Sequence, residues 1–354
     1  MRIAILLPSL QKKGPVILAF DLCKNLIDKV ERIDVFYFSE CSDPFFLGLN
    51  NVNFFKLSFI RPFSFVDYDV VHCHSMRPDF YTYIFKRKIR CSVITTVHNY
   101  VYEELSYTYN HLISICFSRI WVRTWSNKDA VVFLSDNMKE YYQSKVGIIK
   151  NSRIINNGRH VDEVKSNNET FILSNLLREK KKRYTIIGGC GVLNKRKGFE
   201  DIIKFLSFNT NLFAVFIGQG PDKKRLTCLA KNLGVIDRCI FLGYQENASS
   251  VIKLLDVFVM SSYSEGFPLV VLEAGSLSVP IICVRSPLFD ELFSDNDVVF
   301  YERNDLTSME FALNHMLLNR LRYSNSINKI VGMKYSCKIM AERYLEQYIS
   351  LNSK

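Results

Sequence analysis

An apolar run, Val257-Phe258-Val259-Met260, leads into Ser261-Ser262-Tyr263-Ser264-Glu265-Gly266-Phe267-Pro268-Leu269-Val270-Val271-Leu272-Glu273-Ala274. No other junction in the chain restricts its fold as strongly. Four consecutive apolar residues without alternation read as a strand covered on both faces, as in a parallel sheet. The serine-rich turn, then Gly266 and Pro268, suit the last loop residue and the first turn of a helix. Strand, tight loop and helix in that order aim backbone N–H groups and the positive end of the helix dipole beyond the strand's carboxyl end, which favours a bound anion. Glu265 precedes the helix, where its charge opposes an anion unless it turns toward neutral hydroxyls. Glu273, on the second turn, reaches back along a ligand. Phosphate at the helix start and carboxylates for hydroxyls are what a nucleotide-sugar needs.

At 354 residues the chain is long enough for two domains, and its 48% hydrophobic and 23% charged residues are those of a folded protein. The net charge of +11 calls for an acidic partner: nucleic acid, an anionic membrane or a phosphorylated substrate. Basic clusters stand at Lys86-Arg87-Lys88, Lys180 to Arg183 and Lys195-Arg196-Lys197, but no nucleic-acid recognition motif accompanies them, so no nucleic-acid partner is expected. The ten cysteines lack metal-ligand or redox spacing and read as reduced thiols. With no apolar run approaching the ~20 residues a membrane span requires, and no signal peptide, the expected location is cytoplasmic, at the inner face of the cytoplasmic membrane.

The chain opens on the strand Arg2 to Leu7, a loop containing Gly14, and a helical pattern from Val16 to Val30, a β–loop–α unit whose glycine lets backbone approach a ligand or simply turns the chain. Strands are predicted at Ile33 to Phe38, Asp69 to His74, Ser92 to Val97 and Ala130 to Leu134, with one more in the Phe-rich stretch before Phe65. Alternation places His72 and His74 on one face without a third ligand, so no metal site is expected. His98 follows a strand end, where a histidine is either a packed structural group or a cleft residue. Glu103 to Thr124 reads as one long aromatic helix, carrying Tyr107 and Tyr109, that packs on the sheet or docks with the Lys86–Arg90 cluster on anionic lipid. From Val161 to Arg183 the chain turns polar and basic around one short apolar segment, which sets the domain boundary there. Strands at Tyr184 to Gly188, Phe213 to Ile217, Cys239 to Leu242 and Pro280 to Val284, the helix Asp222 to Leu233 and the amphipathic helix Tyr335 to Ser350 complete the pattern. The glycines after Tyr184 lack the third glycine and the later acidic residue of a dinucleotide fingerprint.

The sentence Asp256-Val257-Phe258, Ser261, Glu265-Gly266-Phe267-Pro268, Leu272-Glu273-Ala274-Gly275 and Val279-Pro280-Ile281-Ile282 resembles the Glu-x7-Glu signature of glycosyltransferase family 4, retaining enzymes of GT-B architecture. Gly191 to Gly198 resembles the family's Gly-Arg-Leu-x-x-x-Lys-Gly, with Lys197 on the lysine and Val192 in place of the usual arginine, for which Arg196 or Lys195 is the expected substitute. Thr96-Val97-His98 and Asp69-Val70-Val71-His72-Cys73-His74 resemble cleft-lining strings, and Arg153 to Gly158 resembles the turn closing the first domain.

The resemblance implies an α/β chain of two Rossmann-like, doubly wound domains facing a central cleft: residues 1–165 with a C-terminal helix at about 336–354 packing back, and 166–335. It implies Glu265, Lys197 and His98 as catalytic residues. Donor binding would fall to Gly14, Arg196, Gly243, Tyr244, Gly266, Phe267, Pro268, Leu269 and Glu273, and a cleft or acceptor role to His74. Without the resemblance, Glu273 reads equally well as a solvated helix residue. The implied activity is metal-free, retaining transfer of a sugar from a nucleotide-diphosphate sugar, UDP favoured over GDP, to a lipid-linked glycan in O-antigen or capsule assembly. No resident cofactor is expected, and an anionic membrane surface is a further expected contact. The alternatives are a GT-B-shaped nucleotide-sugar epimerase and an inactive nucleotide-sugar-binding partner of another transferase.

Overall fold

The computed structural model describes residues 1–41, 46, 49–106, 110–161 and 168–353. By contacts the chain divides into two compact units, Met1–Gly158 with Tyr335–Lys354, and Arg159–Lys334.

The first unit is built on a seven-stranded sheet. Its strands are β1 (Arg2–Ser9), β2 (Arg32–Ser39), β3 (Val52–Lys56), β4 (Val70–His74), β5 (Ser92–Val97), β6 (Ala130–Phe133) and β7 (Ser152–Ile154). Their order is β3-β2-β1-β4-β5-β6-β7 and every pairing is parallel. Ile3 to Leu7 is buried on both faces, which is why it reads as a continuous apolar run; Val70 to His74 is equally buried but includes His72 and His74. The helix Cys337–Asn352 belongs to this unit, where Met340, Ala341, Tyr344, Tyr348 and Leu351 join the core formed by Ile3, Ile5, Leu18, Leu22 and Val35. Gly158 closes against it so tightly that a Cβ there would meet the Ser336 carbonyl oxygen at 2.2 Å.

The second unit carries β8 (Thr185–Cys190), β9 (Leu212–Ile217), β10 (Cys239–Gly243), β11 (Val257–Met260), β12 (Ile281–Val284) and β13 (Val299–Tyr301), in the order β10-β9-β8-β11-β12-β13. In each sheet the winding reverses beside the first strand, between β1 and β4 and between β8 and β11. Crevices at the carboxyl ends of strands that flank such a reversal are where open α/β sheets receive ligands.

Several sequence expectations are corrected. The helical pattern from Val16 begins two residues earlier, as Gly14–Leu26, with Pro15 in its first turn. The single helix expected over Glu103 to Thr124 is two among the described residues, Val101–Ser106 and His111–Arg123. Asn110, extended at φ −65°, ψ 160°, caps the second by accepting from the Ile113 N–H. Tyr107 and Tyr109 lie outside the described residues. The polar stretch before Arg183 contains the helix Asn168–Lys181, whose buried Thr170, Leu173 and Leu177 are too sparse to stand out in sequence. The helices Leu306–Leu318 and Arg320–Lys334 carry no reading above and complete the second unit.

Candidate functional site

Two loops meet at the carboxyl ends of β8 and β11. One, Asn194 to Gly198, is a short 3-10 turn whose first residue caps it: Asn194 Oδ1 accepts from the Lys197 N–H. The other is the serine-rich turn after β11. They are stitched together by Ser261 Oγ donating to the Lys197 carbonyl at 2.9 Å and the Tyr263 N–H donating to the Arg196 carbonyl at 2.7 Å. Arg303 reaches the Ser261 and Ser262 carbonyls at 3.0 and 2.7 Å. Gly198 sits in the left-handed region at φ +63°, and a Cβ there would meet the Ser261 oxygen at 2.2 Å. Glycine is required at this position by both the dihedral angle and the close approach.

This stitching delivers the charged side chains. Lys197 Nζ lies 2.6 Å from Glu265 Oε1, and Arg196 Nη1 lies 3.2 Å from Glu265 Oε2 while also donating to the Ser264 carbonyl. Lys197 runs across Gly191, where a Cβ would meet its Cε at 3.0 Å and its Nζ at 3.4 Å. Burial by itself would push the Glu265 carboxyl up. The charges of Lys197 and Arg196, with hydrogen bonds from Lys197 and Ser262, outweigh it and hold the group at about 2. Glu265 is therefore an ionised, nearly buried acceptor beside two cations. Eight residues on, within the helix Leu269–Ser276, Glu273 Oε1 accepts from Arg159 Nε at 2.8 Å. Half-buried Cys190, at the end of β8, feels both carboxylate and cation: burial pushes its thiol up to about 12, Glu273 raising it and Lys197 lowering it.

Gly266, Phe267 and Pro268 are buried, Pro268 occupies the N-cap position of that helix, and Leu269 is its first residue. Burying Leu272 of the same helix contributes roughly 1.5–3 kcal/mol toward fixing its direction. Gly243 ends β10 at φ +76°, its carbonyl accepting from the Gly218 N–H at 2.8 Å, and Tyr244 follows it, exposed. Val192 is 54% exposed.

The remaining sequence-selected residues lie in the first unit. Gly14 is the first residue of its helix, and a Cβ there would touch nothing, so the protein's own packing makes no demand for glycine. His74 on β4 and His98 after β5 come together: His74 Nδ1 is 2.9 Å from His98 Nε2. His72 packs against His74 with ring centroids 4.1 Å apart and the rings tilted by 37°, and its two nitrogens meet Tyr348 Oη at 2.7 Å and Thr96 Oγ1 at 2.8 Å. Thr96 Oγ1 in turn meets Tyr344 Oη at 2.8 Å. Burial keeps the ring of His72 neutral, lowering it to about 3, with the charge of His98 acting in the same direction. Burial likewise lowers His98 to about 3 and His74 well below the histidine range. The sequence drew attention to His72, His74 and His98 separately. Their packing follows from the pairing of His74 with Thr96 across β4 and β5. Arg159 has no sequence signal of its own: it directly follows the Arg153 to Gly158 turn and lies outside that motif.

Known proteins give the same picture. Residues 174–330 match the family model of glycosyl transferases group 1, and residues 15–163 match that of glycosyltransferase family 4. The chain is 30% identical over 365 aligned residues to the O-antigen biosynthesis glycosyltransferase WclY of Escherichia coli, covering 99% of both chains. A shorter match, 28% over 130 residues and 36% of each chain, is to an N-acetylgalactosaminyltransferase of Campylobacter jejuni acting on N-acetylgalactosamine-N,N'-diacetylbacillosaminyl-diphospho-undecaprenol. In fold it is similar to the Anabaena protein Alr3699/HepE solved with UDP and glucose, with a TM-score of 0.81 at 16% identity, covering 99% of this chain and 100% of that one. Two parallel-sheet halves of GT-B type, matched to group 1 and family 4 models and to WclY along the whole chain, make this protein a member of glycosyltransferase family 4.

Proposed function

We propose that the protein transfers a sugar, with retention of configuration, from a UDP-sugar to a lipid-linked glycan during O-antigen-type surface polysaccharide assembly. The observation that carries this reading is the Lys197–Glu265–Arg196 cluster beside the N-terminus of the helix Leu269–Ser276. As the sugar leaves, negative charge grows on the β-phosphate. Lys197 and the backbone N–H groups of the helix start are donors that answer it, and one preorganised donor of this kind is worth about 2.7–4 kcal/mol. Glu265, held ionised, accepts hydroxyls of the sugar and Glu273 those of the ribose; His98 is assigned to catalysis and His74 to the acceptor. Gly266, Phe267, Pro268 and Leu269 shape the diphosphate end, Gly243 and Tyr244 the base, and the Gly14 turn lies open to a ligand. In this reading Lys197, rather than a metal ion, supplies the positive charge that answers the leaving diphosphate. The uracil base is supported by the UDP in the HepE crystals, and the lipid-linked acceptor by the undecaprenol-linked substrate in the name of the Campylobacter relative.

The reaction takes place at the inner face of the cytoplasmic membrane. Among the described residues no helix is long and apolar enough to cross a membrane, so the contact would be peripheral. The helix His111–Arg123 supports such a contact because it is inside out. Ser114, Ser118 and Val122 face inward, while Leu112, Ile113 and Ile120 are 76%, 41% and 54% exposed. Trp121 anchors it through Nε1 to buried Asp79 at 2.8 Å, with Thr95 and Trp125 on the same carboxylate. Arg119 and Arg123 on the same helix are exposed, adding charge suited to anionic lipid.

The test is thermal stabilisation by UDP, GDP, ADP and TDP. UDP at 100 times its dissociation constant should add about 2.7 kcal/mol of stability, and Lys197→Ala should lose most of that gain. Stabilisation by GDP alone would replace the base assignment. No stabilisation by any of the four would move the protein to the inactive-partner reading.

A further inference from the structure

The structure assigns to Arg159 the α-phosphate of the nucleotide donor, as a ligand that stands in for the arginine missing at Val192. The inference rests on the donor reading above and adds to it the residue that holds the phosphate nearest the ribose.

The second unit places two carboxylates at the ends of β8 and β11, and each has its own cation. Glu265 has Lys197 and Arg196; Glu273 has Arg159, whose side chain is 15% exposed against 13% for Glu273. A nucleoside diphosphate brings further negative charge into a place that already holds two carboxylates, so the site needs a surplus of cations. The three cations exceed the two carboxylates by one, and without Arg159 there is no surplus. Val192 is exposed and offers no donor, and Arg196 already bridges the Ser264 carbonyl and Glu265. Lys197 runs across Gly191, just past the end of β8, and the fields of Glu273 and Lys197 both act on the neighbouring Cys190 thiol.

Ligand chemistry supplies the order. Ribose carries the α-phosphate on its O5′, so the carboxylate that accepts ribose hydroxyls, with the cation paired to it, stands nearer the α-phosphate than the β-phosphate. Lys197, beside the carboxylate that accepts sugar hydroxyls, is correspondingly nearer the β-phosphate. Arginine rather than lysine fits the α position, because a planar guanidinium can serve a carboxylate and a phosphate oxygen together.

The experiment is titration calorimetry with uridine, UMP and UDP on the unaltered protein, Arg159→Met, Glu273→Gln and the double variant. Arg159→Met is expected to weaken UMP and UDP alike by about ten- to a hundred-fold, and uridine hardly at all. The loss should persist in the Glu273→Gln background, where Arg159 no longer has a carboxylate to neutralise. Adding Val192→Arg to Arg159→Met should recover most of the affinity. Equal UDP affinity with and without Arg159 in the Glu273→Gln background overturns the inference while leaving the donor reading intact. Failure of the unaltered protein to bind UDP or GDP overturns both. If Arg159→Met does not fold, Arg159→Lys is read instead. It keeps the charge but loses the fork, and a several-fold loss confined to the phosphorylated ligands is expected, while an unchanged affinity counts against the inference.

Discussion

His74 Nδ1 and His98 Nε2 stand 2.9 Å apart with their rings stacked, so a single proton between them fixes the tautomer of both imidazoles. His74→Phe keeps the ring's volume and removes that constraint. Sugar transfer should fall about ten-fold, in line with the loss of one well-placed hydrogen bond. UDP affinity, set in the other unit, should stay within two-fold. Steady-state kinetics beside UDP titration checks this, and an equal loss in both would show a general structural defect.

The same histidines govern stability against pH. Burial lowers His72 and His98 to about 3 and His74 well below the ordinary value, so between pH 6.5 and about 3 the unfolded chain binds protons that the folded chain refuses. Folding stability is therefore full above pH 6.5 and falls as pH drops through that window, by up to about 1.4 kcal/mol per pH unit per histidine. Glu265, lowered to about 2, adds its own loss at lower pH, below about 4.5, with the same sign. Thermal unfolding from pH 7.5 to 5 should show a steep decline in Tm, and His74→Phe should flatten it. An unchanged slope in the variant would remove His74 from this account.

Glu265→Gln tests the ionised acceptor. The amide keeps the shape but presents a weaker acceptor to the sugar, and transfer should fall by about 100-fold, equivalent to ~2.7 kcal/mol in the barrier. UDP affinity should hold or rise, because Lys197 and Arg196 no longer share their charge with a carboxylate. A UDP-release assay and calorimetry on the same preparation separate the two effects.

The inside-out helix gives a prediction independent of catalysis. Leu112→Glu and Ile120→Glu replace exposed apolar groups, so stability should change by no more than about 0.5 kcal/mol. Co-sedimentation with phosphatidylglycerol vesicles should be lost in both. The unaltered protein should bind such vesicles, bind phosphatidylcholine poorly, and release as salt rises. Binding that survives both charges would take the contact away from this helix.

Two glycines should behave in opposite ways. Gly198→Ala forces a side chain into the Ser261 carbonyl at positive φ and should cost more than about 1 kcal/mol, together with most UDP binding. Gly14→Ala meets no protein atom and should leave Tm unchanged or slightly raised. If the Gly14 turn approaches a ligand, this variant loses turnover while keeping its stability.

The parts of this architecture most visible in sequence are those set by local chemistry. The strands β1, β9 and β11 are buried on both faces and appear as apolar runs, while β4 and β5, equally buried, carry His72, His74, Thr95 and Thr96 among their apolar residues. Lys197 and Glu265 each stand out in sequence, in glycine-marked loops that resemble family motifs, but their 2.6 Å contact does not. Contacts set by strand register were not legible. His74 and His98 are 24 positions apart and meet only because β4 and β5 pair in register, while His72 meets Tyr348 across 276 positions. The helix Asn168–Lys181 was missed because few of its positions are buried. The break at Asn110 was missed because aromatic residues on both sides continue a helical pattern through it.

The Tyr344 and Tyr348 hydroxyls that hold Thr96 and His72 come from the last helix of the chain, while their partners lie in its first third. During synthesis the ribosome therefore releases β1 to β7 long before the side chains that complete their core exist, and about half the chain, Arg159–Lys334, emerges in between. That intervening half has all its strands together and can fold while the earlier half still waits. The hydrogen bonds of His72 and Thr96 to these hydroxyls thus form only when Tyr344 and Tyr348 arrive, so a chain truncated by premature termination would carry all the strands of its second unit and a first unit without its last helix.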